Sequence, residues 1–575
     1  MALPPSPTAD QPASATLAEL AEAYHTHQMA ADPLAATYHG LVAHRDALPD
    51  VTAEGQAGIR RRAEALRTAV AHVPAHGLDA TERTTRSMLL ELLGWEIAEL
   101  DQGWVEFSVD AFDHGPQVEL LFVLSRVDVD DAAAADDLLT RLAQVGTHLD
   151  AALTRHRDGL DGGRSPVHRG VSAAIAQCRA TAAQPAGDAH LLAPLRAWEG
   201  LDPTRRARAE RLWTHVVAPA FTRYADGLAA DVEPHARPDD RAGLCWLPGG
   251  DELYAAALRR YTTLGDPDPD EIHATGLRLV AALAAEYAEI GSRALGLDDL
   301  AAITHRLHTD PDLDYAHPDE IVAHAQQLVD MAADRVGEVV GRLPSTPCVV
   351  RAIPEVEARG AAAAFYQVPA DTRPHGTYWV NTTDPVLARW KAEATAFHEA
   401  SPGHHTQLGL QRELDLPTFR RFGTLLSGYA EGWGLYTERL AAEMGMYSGD
   451  VALLGMLATD SMRACRLVVD TGLHHLGWSR QQAIDYMRAN SPLPAGSVRA
   501  EIDRYVVYPG QACAYALGRL EIQRLRADAE RRLGPAFDLR AFHDVVLGQG
   551  SVPLGVLADN VEAWAAGRSG TDGDG

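Results

Sequence analysis

The segment His398-Glu-Ala-Ser-Pro-Gly-His-His405 gathers three imidazoles and a carboxylate within eight residues. Two imidazoles one turn apart on a helix, with a glutamate between them, hold a divalent ion and activate water, the chemistry of the His-Glu-x-x-His pattern. Here position 402 is proline, so the plain pattern is interrupted. Pro402 has no N–H for the carbonyl of His398 and disfavours helical geometry at Ser401, while Gly403 permits whatever turn is needed. The helix is therefore expected to bulge after Glu399 and bring His404 to the place of the second histidine. His405 is the competing ligand, two ideal turns from His398 but about 10 Å along a straight helix axis; His404 is preferred. The plain alternative is a chance cluster in a chain with 25 histidines, and a third ligand would weigh against it.

That third candidate lies in Leu425 to Leu440, LLSGYAEGWGLYTERL. Glu431 sits among apolar and small residues, where a buried carboxylate is costly unless paired, hydrogen-bonded or bound to a metal. Gly428, Gly432 and Gly434 are poor helix formers that permit another backbone to approach closely. Glu438, two turns on, is placed to orient a histidine by accepting its second ring N–H. Two histidines and a glutamate with an open fourth position make a zinc site of the catalytic type, although such donors accept other divalent ions too.

The elements that must position these groups are mostly helices. Ser87 to Leu100 and Ala132 to Leu153 carry apolar residues at three- and four-residue spacing. Asp268-Pro269 and His317-Pro318 read as helix starts, as does Asp384-Pro385 ahead of a helix through Trp390, Ala394 and Phe397 to His398. Cys348 to Arg351, Ala364 to Val368 and Thr377 to Asn381 are short β-prone runs. The expected fold is mainly α, large and two-lobed, with a small β-sheet beside the active-site helix. Its expected divisions are a disordered tail over 1–15, an N-terminal helical lobe over 16–200, a catalytic lobe over 201–567 and a second tail over 568–575. Arg157 to Pro166 and Asp231 to Gly250 read as loops. A net charge of -28 argues against nucleic acid and anionic membrane surfaces as partners. The five cysteines form no CxxC pair, the N-terminus shows no secretory signal and no apolar run is long enough to span a bilayer, so a cytoplasmic location is expected. Lys391 is the single lysine, two turns before His398 on the same face.

HEASPGHH, YAEGWGLYTERL, VDTGLHHLGWSRQQAIDYM (Val469 to Met487), RYVVYPGQACAYALGRLEI (Arg504 to Ile522) and FHDVVLGQGSVPL (Phe542 to Leu554) occur in this order. Together they resemble the bacterial domain-of-unknown-function family numbered 885, most strongly over about residues 245 to 565. Members of that family look like metallopeptidases of the gluzincin type. The arrangement is similar, more distantly, to the helical thermostable carboxypeptidases and to dipeptidyl peptidase III, whose zinc motif is also lengthened. In those carboxypeptidases a zinc-binding glutamate precedes another acidic residue by seven positions, a spacing that Glu431 and Glu438 repeat. The resemblance implies His398, His404 and Glu431 as zinc ligands and Glu399 as the base.

The chemistry to expect is hydrolysis of peptide bonds in short peptides, of oligopeptidase or carboxypeptidase type. Zinc would polarise the scissile carbonyl and acidify water, with Glu399 moving the proton to the leaving amine. A donor to the developing oxyanion is also needed. Tyr515 is the first candidate and His474 and Tyr505 the others. Tyr505 could alternatively line the substrate with Arg504 and Arg519, whose guanidiniums suit a carboxylate, although an ordinary ion pair is the default for each. His543 reads as structural. The run Gly376 to Asn381 could be an edge strand that pairs with extended substrate. Two rival readings stand beside this one: an amide hydrolase acting on a biosynthetic intermediate, and a non-catalytic binding protein stabilised by a metal.

Overall fold

Helices open where the sequence marks them. Asp79 and Glu82 form a capping box before Ala80–Gln102, and Asp268 accepts from the Asp270 N–H before Pro269–Leu295, which closes on Gly296 in the left-handed region. His317 precedes Pro318–Arg335, with Asp319 and Glu320 in the first turn. The computed structural model describes residues 12–569 apart from 39, 42, 113, 355–361, 370–374, 384–387 and 424–425. The Asp384-Pro385 helix start therefore lies outside the described residues, as does most of both expected tails. Where the first tail is described it is helical, because Ala13–Ala31 begins at Ala13.

The chain divides into two units. One comprises Met1–Ala256, Leu473–Gln481 and Asp503–Pro509; the other comprises Ala257–Gly472, Gln482–Ile502 and Gly510–Gly575. Composition placed a lobe boundary near residue 200, whereas the first unit runs on to Ala256 and takes in two later returns of the chain. Its core is built by Ala132–Asp161, His168–Ala182 and Ala218–Gly227 around Leu142, Val145, Leu149, Phe221 and Tyr224. The first expected loop is shorter than its composition suggests, because the helix continues through Arg157 to Asp161. The second is a run of short turns tied down by Arg237, which donates to the carbonyls of Ser165, Arg241 and Ala242.

The second unit holds a sheet of three strands: β1 (Cys348–Ala352), β2 (Ala364–Gln367) and β3 (Gly376–Val380). Their order is β1-β3-β2, with β1 parallel and β2 antiparallel to β3; Val350 and Tyr366 both stand opposite Tyr378. The expectation that Gly376 to Asn381 is an edge is thus corrected. β3 is the central strand, and its backbone is used on both sides, leaving β1 and β2 as edges. Tyr378 and Val380 pack on Ala392, Ala396 and Ala400 and on Pro318–Arg335 through Ile321, Ala325 and Val329. Alanines at four-residue spacing bring the helix that carries His398 flush against the sheet. Among the described residues no helix is long and apolar enough to cross a membrane.

Candidate metal centre

His398 and Glu399 end a short helix, Ala392–Glu399, the His398 helix. The chain does not bulge there, as the sequence suggested, but breaks. Ser401 to Gly403 form a turn with a cis Ser401–Pro402 bond, and a new helix, His404–Glu413, starts on His404. Pro402 cannot donate, and the freed carbonyls find other partners: Phe397 accepts from the Thr437 hydroxyl (3.1 Å), Ala400 from the His405 N–H (3.1 Å) and Pro402 itself from the Trp433 indole (3.0 Å). A β carbon on Gly403 would stand 1.9 Å from the His398 carbonyl oxygen, so the turn closes only with glycine.

Glu431 comes from Ser427–Glu443, the Glu431 helix. Its glycines serve two different approaches. A β carbon on Gly432 would lie 2.6 Å from Gly518 Cα on Gln511–Leu533, and one on Gly518 would lie 1.9 Å from the Gly428 carbonyl oxygen. Gly434 faces the site itself: a β carbon there would meet His398 at 2.7 Å from Cε1 and 2.8 Å from Nε2.

These elements bring one donor atom each from His398, His404 and Glu431 within 4.8 Å of one another. Glu431 Oε2 is 3.4 Å from His398 Nε2 and 3.7 Å from His404 Nε2. Both separations are long for a charge-assisted hydrogen bond. They are close to the spacing of about 3.3 Å between two ligands of a tetrahedral ion bound at about 2.0–2.1 Å. Each remote nitrogen is engaged: His398 Nδ1–H donates to Glu438 Oε1 (2.8 Å) and His404 Nδ1–H to Gln407 Oε1 (3.2 Å). With Nδ1 engaged in each ring, the two Nε2 atoms are the ones that lie near Glu431, where an ion that displaces their protons would be bound. Glu438 is in turn held by the Thr459 hydroxyl. Two imidazoles and one carboxylate, each imidazole backed by an acceptor, fit the donor set of a divalent ion.

The electrostatics favour the same use. Burial opposes charge on His398, but Glu431 and Glu438 outweigh it and lift the imidazole to about 10. Burial would also raise Glu431, yet the two histidines hold it well below the usual carboxylate range. For Glu399 burial wins: its carboxyl is raised, against the opposing charges of His398 and His404 and a backbone N–H from Tyr366. Glu399 is half-buried, and its carboxyl feels the charges of His398, His404 and Glu431.

His405 points elsewhere. Its Nδ1 is 3.0 Å from the Tyr366 hydroxyl, and burial lowers its pKa to about 4. His474 belongs to the other unit, where both ring nitrogens are taken by backbone: Nδ1 accepts from the Leu244 N–H (3.1 Å) and Nε2–H donates to the Tyr505 carbonyl (2.9 Å). Fully buried, lowered to about 4 by burial and with both ring nitrogens engaged by backbone, it is a packing histidine, which corrects the catalytic expectation for it. Tyr505 and Arg504 lie in that same unit; Tyr505 is buried, with the Arg504 guanidinium 5.0 Å from its ring. Arg519 is not available to substrate either, because it is buried in an ion pair with Asp460, which also binds Arg439. Tyr515 is half-buried, with the guanidinium groups of Arg463 and Arg466 both near its ring. His543 is structural, bound to the Tyr436 hydroxyl and the Val339 carbonyl at 2.8 Å each. Gln407, three residues after His404 on its helix, was findable from spacing alone; Thr459 and Tyr366 carry no local signal of their roles.

The family model described as bacterial protein of unknown function (DUF885) matches residues 33–561, and the chain belongs to that family. A crystal structure named as the "putative lipoprotein" from Colwellia psychrerythraea is 26% identical, with a TM-score of 0.90 over 96% of this chain and 100% of that one. A second, named as a "putative lipoprotein" of unknown function from Shewanella oneidensis, is 19% identical, with a TM-score of 0.77 over 94% and 99%, and shares the fold. No curated protein matches the chain.

Proposed function

We propose that this DUF885 member is a zinc-dependent hydrolase of amide bonds in short peptides, with His398, His404 and Glu431 as ligands and Glu399 as general base. The observation that carries the reading is the convergence of the three donor atoms within 4.8 Å, with Glu399 next to His398 and each imidazole oriented by an acceptor. A zinc ion held there supplies Lewis acidity to the scissile carbonyl and to water. Glu399 takes the proton of the attacking water and passes it to the departing amine, and its raised basicity suits it to both halves of the transfer. Glu438 and Thr459 fix the His398 ring, and Gly434 gives that ring its room. Extended substrate backbone pairs with β2, the edge strand whose Tyr366 N–H reaches Glu399. The reading of a metal kept for stability alone leaves Glu399 without a use, since it is not among the three donors.

The test is to incubate the purified chain with a mixed peptide library, with and without chelator. Chelator-sensitive trimming from the C-terminus identifies a carboxypeptidase and internal cuts an oligopeptidase; an untouched library overturns the peptidase assignment. The compartment proposed is the cytoplasm, supported by five cysteines that are all free. The names of the two similar structures point to an anchored location instead, and fractionation of the native host decides between them.

A further inference from the structure

Lys391, the single lysine of a chain with 51 basic residues, ends the short turn Arg389–Lys391 that leads into the His398 helix. Its ammonium lies 5.3 Å from the Trp390 ring centre and meets no carboxylate among the described residues; the charge it faces is the Arg463 guanidinium. Burial and that like charge push it down to about 8. The Arg463 Nε is itself buried with no hydrogen-bond partner. Arg463 projects from Asp450–His474, whose Gly455 packs so closely on the turn that a β carbon would stand 1.9 Å from the Trp390 carbonyl oxygen. Gly455, Thr459 and Arg463 recur every four residues and so share one face of that helix. Thr459 holds Glu438, the residue that orients His398, and Arg463 follows one turn on. Tyr515 has the Arg463 guanidinium carbon 5.6 Å and the Arg466 guanidinium carbon 4.3 Å from its ring centre. Arg466 is neutralised by Glu501 at 2.9 Å; Lys391 and Arg463 are not neutralised by any described carboxylate.

Two cations that interact and have no carboxylate partner among the described residues oppose folding, and a site that binds an anion is where such an arrangement is useful. In a composition that replaces lysine by arginine everywhere else, a lysine kept at this position points to a compact, tunable charge. Lys391, Arg463 and Tyr515 are each half-buried, with part of the residue still at the surface. Seven residues of helix separate Lys391 from His398, about 10 Å along the axis. That distance is roughly three residues of extended peptide.

We propose that Lys391, Arg463 and Tyr515 form an anion subsite for a substrate carboxylate held about three residues from the scissile bond. The ammonium and guanidinium supply charge and fork-shaped donors, and the phenol supplies a third donor. The identity of the carboxylate as substrate rests on the hydrolase reading, but the subsite can be tested without turnover. Binding of N-acetyl-trialanine and its C-terminal amide would be measured by calorimetry on the full-length chain carrying Glu399→Gln. A second pair, N-acetyl-Ala-Glu-Ala-amide and its glutamine counterpart, separates an acidic side chain from a main-chain carboxylate. The acid of one pair should bind about tenfold or more tighter than its neutral partner. Lys391→Met and Arg463→Met should each bring that ratio close to one. Lys391→Met should also melt at or above the parent, because it removes a charge that burial and Arg463 disfavour. Equal binding of acid and neutral probes, no binding of any probe, a preference that survives both substitutions, or a melting temperature well below the parent would overturn the subsite. Catalysis can fail independently, through a wild-type chain that binds these acids and cleaves nothing.

Discussion

Replacing Gly434 by alanine should separate metal binding from folding. The added β carbon would stand 2.7 Å from His398 Cε1, 2.8 Å from Nε2 and 3.0 Å from Nδ1, where ordinary contacts are about 3.5–4.0 Å. The ring must retreat by roughly 1 Å, and it cannot do so freely, because Glu438 holds Nδ1 at 2.8 Å and Thr459 holds Glu438. Overpacking costs about 1–3 kcal/mol, and alanine in a helix interior recovers about 0.5–1 kcal/mol over glycine. The fold should therefore lose no more than about 2.5 kcal/mol. A zinc–nitrogen bond tolerates only about 0.2 Å, so a shift near 1 Å removes Nε2 from effective coordination. The expected loss of zinc affinity is at least about 100-fold, near 2.7 kcal/mol. Competition against a chelator of known affinity reads the first quantity, and denaturant unfolding of the metal-free chain reads the second. Gly432→Ala is the contrast: its β carbon meets the Gly518 backbone, so it should destabilise the fold without a selective effect on zinc. Zinc affinity within about threefold of wild type in Gly434→Ala would refute the placement of His398 against this helix.

Other substitutions and conditions test the remaining geometry. His404→Ala should abolish stoichiometric zinc, while His405→Ala, whose ring is turned to Tyr366, should retain it; metal analysis of the two purified variants decides, and the reverse pattern would exchange their roles. Glu438→Gln should weaken zinc by about 10–100-fold without removing a ligand, as a chelator titration will show. Burial opposes protonation of His398, but Glu431 and Glu438 prevail and lift it to about 10, so at pH 7.5 the metal-free imidazole carries a proton that must leave when an ion binds. Affinity should therefore fall as pH falls, and calorimetry in buffers of different ionisation enthalpy should show about one proton released per zinc at pH 7.5, whereas zero would contradict the lifted pKa.

The local parts of this site could be read from the residues in sequence. β-Branched and aromatic runs located all three strands, and Pro402 with Gly403 announced that the backbone must depart from a helix after Glu399. The form of that departure was not legible, because a bulge and a break satisfy the same proline; what selects the break is Trp433 and Thr437, partners from a distant helix. Strand order was hidden for the same reason: nothing within Gly376–Val380 says that strands lie on both its sides. His474 looked chemical because it sits in a dense motif, yet its neighbours Leu244 and Tyr505 come from remote segments and make it a packing residue. Gly434 differs from Gly432 only in what lies opposite, an imidazole in one case and a backbone in the other.

The most direct measurement is turnover of a chelator-sensitive peptide substrate by Glu399→Gln, made alongside its zinc content. Glu399 is a base and not a ligand in this account, so zinc should remain near one per chain while kcat falls by about two to four orders of magnitude. A variant that keeps its zinc and hydrolyses peptide like wild type would contradict the account.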